Sequence, residues 1–189
     1  MRSLLVPVLL VLTACSTPKG LDPARLPAQV NVELDREISM DFNHDNIEDS
    51  VKLLPPKNNR NYHVLEISVS DGKGFRKFEN DKLVYAFSNP GASLEDLDNG
   101  SFKVIIDHSG AGRSSSLREY TISYRDEKFI LSGVTVSEYD RLDPNIGGSC
   151  DINLLTGKGE RNSHAIKIKP AKRDLNSVNF EWLPKECKF

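Results

Sequence analysis

From Gln29 to Leu183 the chain is a succession of short runs that either alternate apolar and polar residues or hold a few apolar residues between turn signals. Alternation is the period of a strand, whose successive side chains point to opposite faces. No segment sustains the 3.6-residue period of an amphipathic helix. The expected strands are QVNVEL (29–34), SVKLL (50–54), YHVLEISVS (62–70), KLVYAF (82–87), SFKVIID (101–107), LREYTISYR (117–125), KFILSGVTVSEY (128–139), CDINLL (150–155), HAIKIK (164–169) and SVNFEWL (177–183). Between them lie turn signals such as Ser70–Gly74, the Asn99-Gly100 pair and the polar Arg125–Lys128. SLEDL (93–97) is the one candidate for a short helix. The expected fold is mainly β, antiparallel and built of hairpins, with little helix.

The chain begins MRSLLVPVLLVLTAC, with a basic Arg2 and an apolar stretch from Leu4 to Leu12. That stretch falls short of the roughly 20 apolar residues that span a bilayer, and it fits the apolar region of a secretory signal. Its end, LTAC, resembles the lipobox of bacterial lipoproteins. The resemblance implies cleavage of residues 1–14 and lipidation of Cys15. Ser16, rather than Asp, after the cysteine resembles the outer-membrane class. An ordinary signal peptide is the alternative. Residues 15–29 contain Pro18, Pro23 and Pro27 and read as an extended tether. Residues 30–189 are expected to form a single mainly β domain. Losing residues 1–14, whose one charge is Arg2, takes the formal charge from −2 to −3. A mildly acidic chain with scattered Lys and Arg lacks a nucleic-acid footprint. With Cys15 lipidated, Cys150 and Cys187 remain as a pair in an oxidising compartment, and a disulfide between them is expected.

Asp41, Asn43, Asp45 and Asp49 place short oxygen side chains at the first, third, fifth and ninth positions of one loop, just before an apolar strand. A tight loop with donors at alternate positions turns them toward one centre. Ca²⁺, which takes about 6–8 oxygens, accepts such an irregular shell better than Mg²⁺ does. The Ile47 backbone carbonyl would complete the set. An EF-hand is excluded, because Asn46 stands where Gly is needed and Lys52 where Glu is needed. The loop is similar to that of FG-GAP or VCBS repeats, roughly D-x-N-x-D-G-x-x-D between two strands, with Asn46 departing from the Gly. The resemblance implies one propeller-blade-like unit over 40–78 with a structural Ca²⁺. It gives no full propeller, since no second copy follows. A solvated acidic loop is the alternative. SGAGR, YTISYRDEKFILSG and DINLLTGKG also resemble segments of a group of exported bacterial proteins, a likeness that carries no activity.

Asp107, His108 and Ser109 are consecutive, so in a strand they cannot form a triad, and G-x-S-x-G is absent. Ser109, Gly110, Gly112 and Arg113 read as a polar loop that would take an anion or a partner, with a solvated loop as the alternative. TGKG (156–159) reads as a hairpin turn, not a phosphate loop. The histidines lack zinc spacing. Phe180, Trp182 and Leu183 read as core-closing, and Tyr120, Tyr124 and Tyr139 as cross-strand packing.

Together these features describe a cell-envelope lipoprotein facing the periplasm, anchored by lipid, with a calcium-stabilised β body that binds or scaffolds. The alternatives are an inhibitor or immunity lipoprotein against a toxin or lytic enzyme and, less well supported, a glycan or peptidoglycan hydrolase. No catalytic residues are assigned.

Overall fold

A computed structural model describes residues 36–58, 60–87, 91–109, 112–143 and 145–189. By its internal contacts the chain separates into Met1–Asn31 and Val32–Phe189. The signal segment, Cys15, the tether and QVNVEL lie outside the described residues, as does Gly110.

Two antiparallel sheets make up the body. The first is a meander of β1 (Glu37–Met40), β2 (Asp49–Leu54), β3 (Tyr62–Ser70) and β4 (Phe75–Tyr85), in that spatial order. It contains the 40–78 segment. The second sheet has the order β11-β10-β9-β8-β7-β6-β5. Its strands are β5 (Gly91–Asp96), β6 (Ser101–His108), β7 (Ser114–Arg125), β8 (Lys128–Asp140), β9 (Gly147–Asn153), β10 (Lys158–Arg161) and β11 (His164–Lys167). A short β12 (Arg173–Asp174) pairs with Ile130 and Leu131 of β8, beyond the Gly133–Tyr139 stretch that β9 occupies. The chain is mainly β, as its alternation requires.

The core forms where the inward faces of the two sheets meet. Asp49, Val51 and Leu53 take the buried positions of β2, alternating with half-buried neighbours. Val104, Tyr120, Val134 and Ile152 stand opposite one another across β6 to β9. All four are at most 1% exposed. Each such side chain contributes about 1.5–3 kcal/mol on leaving water. Four rings knit the sheets together. Phe42 lies 5.1 Å from Phe129, Phe78 lies 5.0 Å from Phe129, and Phe42 lies 5.6 Å from Phe102.

The turns show why hairpins dominate. Asp126 and Glu127 both take positive φ in the two-residue loop joining β7 to β8, matching the twist of the flanking strands. Gly157 turns β9 into β10 with φ +70°, and a Cβ there would lie 2.2 Å from the Ile168 carbonyl oxygen, so only glycine fits. TGKG is thus a hairpin turn.

Some expectations are corrected. SVNFEWL is not a strand: it follows a 3₁₀ turn (Leu175–Ser177) and runs irregularly to a second one (Lys185–Cys187). Its aromatic side chains pack against the core from outside the ladders. SLEDL lies in β5 and its continuation, because pairing with β6 overrides helical propensity. Tyr139, expected in cross-strand packing, stands opposite only Ser115 and Gly147 and is 49% exposed. β4 begins at Phe75, well before the expected Lys82, as a half-exposed hairpin arm with charged outward positions. Cys150 and Cys187 are bonded, with Cα atoms 5.3 Å apart, tying the C-terminal segment to β9.

Candidate functional site

The oxygen-rich loop joins β1 to β2, and its conformation follows from its residues. His44 and Asn46 take the left-handed region, at φ 60° and 65°. Asn is among the non-glycine residues that tolerate it best, which accounts for Asn46 at the glycine position. The side-chain oxygens turn inward onto the loop's own backbone. Asp41 Oδ1 accepts from the Asp45 N–H at 3.2 Å and its Oδ2 from the Asn46 N–H at 2.9 Å. Asn43 Oδ1 accepts from the Asp45 N–H at 3.1 Å, and Asp45 Oδ1 from the Ile47 N–H at 2.8 Å. The Asn43 amide donates to Asp45 Oδ2 at 3.0 Å and to the Ser70 carbonyl at 2.8 Å. The Ser70 hydroxyl also donates to Asp45 Oδ2. That bond holds the Asp45 carboxyl below the usual carboxylate range.

Asp49 behaves differently from the other three. It is 1% exposed, and its two oxygens accept from the Phe42 N–H (2.8 Å) and the Ser70 N–H (2.7 Å). Burial pushes its carboxyl above the usual range, against the pull of those two donors. Asp49 therefore fastens the loop to the ends of β1 and β3. Phe42, between the first two donors, drives the loop into the core.

The donor chemistry fits a hard cation. Carboxylates from Asp41, Asp45 and Asp49 and the amide oxygen of Asn43 lie within one tight loop. Each carboxylate oxygen has two lone-pair directions, so one N–H apiece does not exhaust Asp49. Ile47 is 42% exposed, so its side chain has no core role, and only its backbone would join such a set. Among the described residues, no group of three or more His, Cys, Asp or Glu side chains stands at metal-holding distance. A hollow of about 700 Å³ opens beside the loop, bordered by Asn43, Asp45, Ser70, Arg76 and Tyr124. Arg76 donates to the Tyr124 hydroxyl at 2.8 Å across it. Sequence reading passed over Phe42 and Ser70. The aromatic inside an acidic run was a signal for the first, while nothing local marks the second.

The 109–113 loop connects β6 to β7. Arg113, the expected anion donor, pairs with Asp140 at 2.6 Å, and its carbonyl accepts from the Arg141 N–H at 2.9 Å. The Arg141 guanidinium donates to the Ser109 carbonyl. This loop is thus bound to the β8–β9 hairpin, and Gly112 takes φ +84° beside Arg113. The β8–β9 hairpin also carries Leu142 and Ile146, which are 77% and 52% exposed.

A second concavity opens at the other ends of β3, β6 and β7. It holds about 350 Å³ among Tyr62, Tyr85, His108, Ser116, Arg118 and Phe180. Arg118 donates to the Phe180 carbonyl at 2.8 Å and to Glu138 at 2.6 Å, with its guanidinium 4.3 Å from the Phe180 ring centre. The lining residues come from five separate segments, so no local motif announces them.

No helix among the described residues is long and apolar enough to cross a membrane. Comparison with protein-family models, with curated proteins and with solved structures gives no match to this chain.

Proposed function

We propose that the chain is a cell-envelope lipoprotein, anchored through Cys15 and facing the periplasm from the outer membrane, whose β body is stabilised by one Ca²⁺ and serves as a binding or scaffolding module. The observation that carries the calcium reading is the loop itself. Asp41, Asn43 and Asp45 stand at alternate positions in the sequence, and their oxygens turn inward onto the loop backbone around left-handed His44 and Asn46. Asp49 and the Ile47 carbonyl complete the set. The ion would stabilise by binding the folded loop and not the unfolded chain. An affinity of about 10⁻⁴ to 10⁻³ M is the range of extracellular modules. The anchor rests on LTAC and the tether on residues 15–29.

Equilibrium dialysis with radioactive calcium tests the ion: one Ca²⁺ per chain is expected for the wild type and none for Asp45→Ala. Equal retention by the two would remove the site. The anchor is tested by metabolic labelling with palmitate, which should enter the wild-type chain and not Cys15→Ala. Label retained in the variant would place the lipid elsewhere.

A second reading, an inhibitor or immunity lipoprotein, draws on one observation. The paired loops at Ser109, Arg113 and Arg141 present exposed Leu142 and Ile146, the kind of apolar tip that enters a partner's cleft.

A further inference from the structure

The chain is mildly acidic as a whole, yet residues 156–189 hold eight Lys and Arg against four Asp and Glu. The strand register collects several of these cations on one face. Across β9, β10 and β11, Ile152, Gly159 and Ile166 stand opposite one another. Ile152 is buried in the core and Ile166 packs against it. The residues next to them along each strand therefore point away from the core. One outward row is Asn153, Lys158 and Lys167, again mutual partners. The other is Asp151, Glu160 and Ala165, where Asp151 accepts from the Thr135 hydroxyl at 2.9 Å. The Ile168 N–H bonds to the Gly157 carbonyl and Ile168 also packs against the core, so Lys169 points outward with Lys167. All three lysines are exposed.

Lys158 directly opposite Lys167 is a like-charge pair, which costs stability in a sheet. None of the three lysines forms an ion pair among the described residues. Protection of a free edge explains lysines on β11, the last strand of its sheet. It does not explain Lys158, because β10 is paired on both sides. Beside this group lies an apolar hollow of about 420 Å³. Ile130, Leu155, Pro170 and Ala171 line it, together with Arg125 and Lys172. Pro170 directly follows Lys169, so the hollow and the lysines adjoin. Arg125 also stands opposite a cation, Lys128. Lys172 pairs with Asp126 at 3.2 Å, but both side chains are more than two-thirds exposed, and such a pair holds little.

We propose that this face docks on a bilayer containing anionic phospholipid, with lipid phosphates on Lys158, Lys167 and Lys169 and the glycerol-ester region of one lipid in the hollow bordered by Arg125 and Lys172. Phosphate supplies the counter-charge that the opposed lysines lack. The apolar lining favours a lipid over a soluble polyanion, which would meet the charges and leave the hollow to water. A sheet face sets its cations side by side, as contact with a planar surface requires. Each Lys near an anionic surface strengthens binding about fivefold, an effect that salt screens. A lipid on Cys15 would hold the chain to a membrane without fixing which side of the body meets it; this face sets that orientation. Twenty residues separate Cys15 from Arg36, about 60 Å when extended, so the anchor leaves the face free to reach the surface.

The test is lysine acetylation by a neutral reagent, read by mass spectrometry. The full-length chain is labelled with excess vesicles of phosphatidylcholine alone or with about one third phosphatidylglycerol. Labelling of Lys158, Lys167 and Lys169 is expected to slow threefold or more with the anionic vesicles, while Lys73, exposed in the β3–β4 turn, keeps its rate. Salt at about 0.5 M should restore the rates. The double variant Lys158→Glu, Lys167→Glu, at exposed positions, should lose the protection of Lys169 with an unchanged melting temperature. Equal rates with both vesicle types, equal slowing at Lys73, or protection by polyglutamate or a DNA duplex but not by anionic vesicles would overturn the proposal. Palmitate entry at Cys15 reads the anchor separately, so failure of the anchor and failure of this face are told apart.

Discussion

Asp49 and His63 show how single side chains are set by the strands that carry them. Asp49 begins β2, and its inward direction follows from the alternation that buries Val51 and Leu53. Extending that period back by two residues would have placed its carboxylate in the core. The loop spacing alone gives a ligand and misses the structural role. His63 is half-buried on β3, with Nδ1 3.1 Å from the Leu54 carbonyl oxygen and Nε2 3.4 Å from the Arg36 guanidinium. Burial pushes its pKa down, and the Arg36 charge pushes the same way, against the Leu54 carbonyl. A histidine whose folded pKa lies below its unfolded value of about 6.5 contributes stability above that pH and loses it as pH falls through the folded value. The melting temperature should therefore drop as pH is lowered from 7 toward 5, and His63→Gln should flatten that slope. An unchanged slope in the variant would mean that His63 is not the group responsible.

At the scale of elements, the C-terminal segment closes the core without being a strand. The Asn80 amide donates to the carbonyls of Leu175 (2.7 Å) and Val178 (3.0 Å), while its oxygen accepts from the Lys82 and Leu83 N–H groups. One buried side chain thus joins β4 to the 3₁₀ turn, and Cys150–Cys187 fixes the far end. Closing that loop is worth about 4 kcal/mol in the chain-entropy picture. Cys187→Ala should lower the urea unfolding free energy by about 2–4 kcal/mol. A change under about 0.5 kcal/mol would show that the segment holds without the bond. β3 was legible to the residue because YHVLEISVS alternates from Leu65 to Val69 and is bounded by turn residues. The first half of β4, FRKFEN, was not, because its charged outward positions hide the period in a short window. SVNFEWL carries strand-like residues, yet its amide at Phe180 bonds only to Lys82 among backbone partners on β4. Packing, not pairing, decides its course.

For the whole molecule, both candidate sites lie where strands end, at opposite ends of β3, β6 and β7. The loop was legible because its donors are neighbours in sequence. The second concavity was not, since Tyr62, Tyr85, Arg118 and Phe180 meet only after both sheets have formed. The central claim is that the loop between β1 and β2 takes up calcium as part of the folded body. Thermal melts of the wild-type chain and Asp45→Ala, each in millimolar calcium and in chelator, test it most directly. A wild-type melting temperature several degrees higher in calcium, with no difference in Asp45→Ala, is the predicted result. Identical wild-type melts in calcium and in chelator would contradict it.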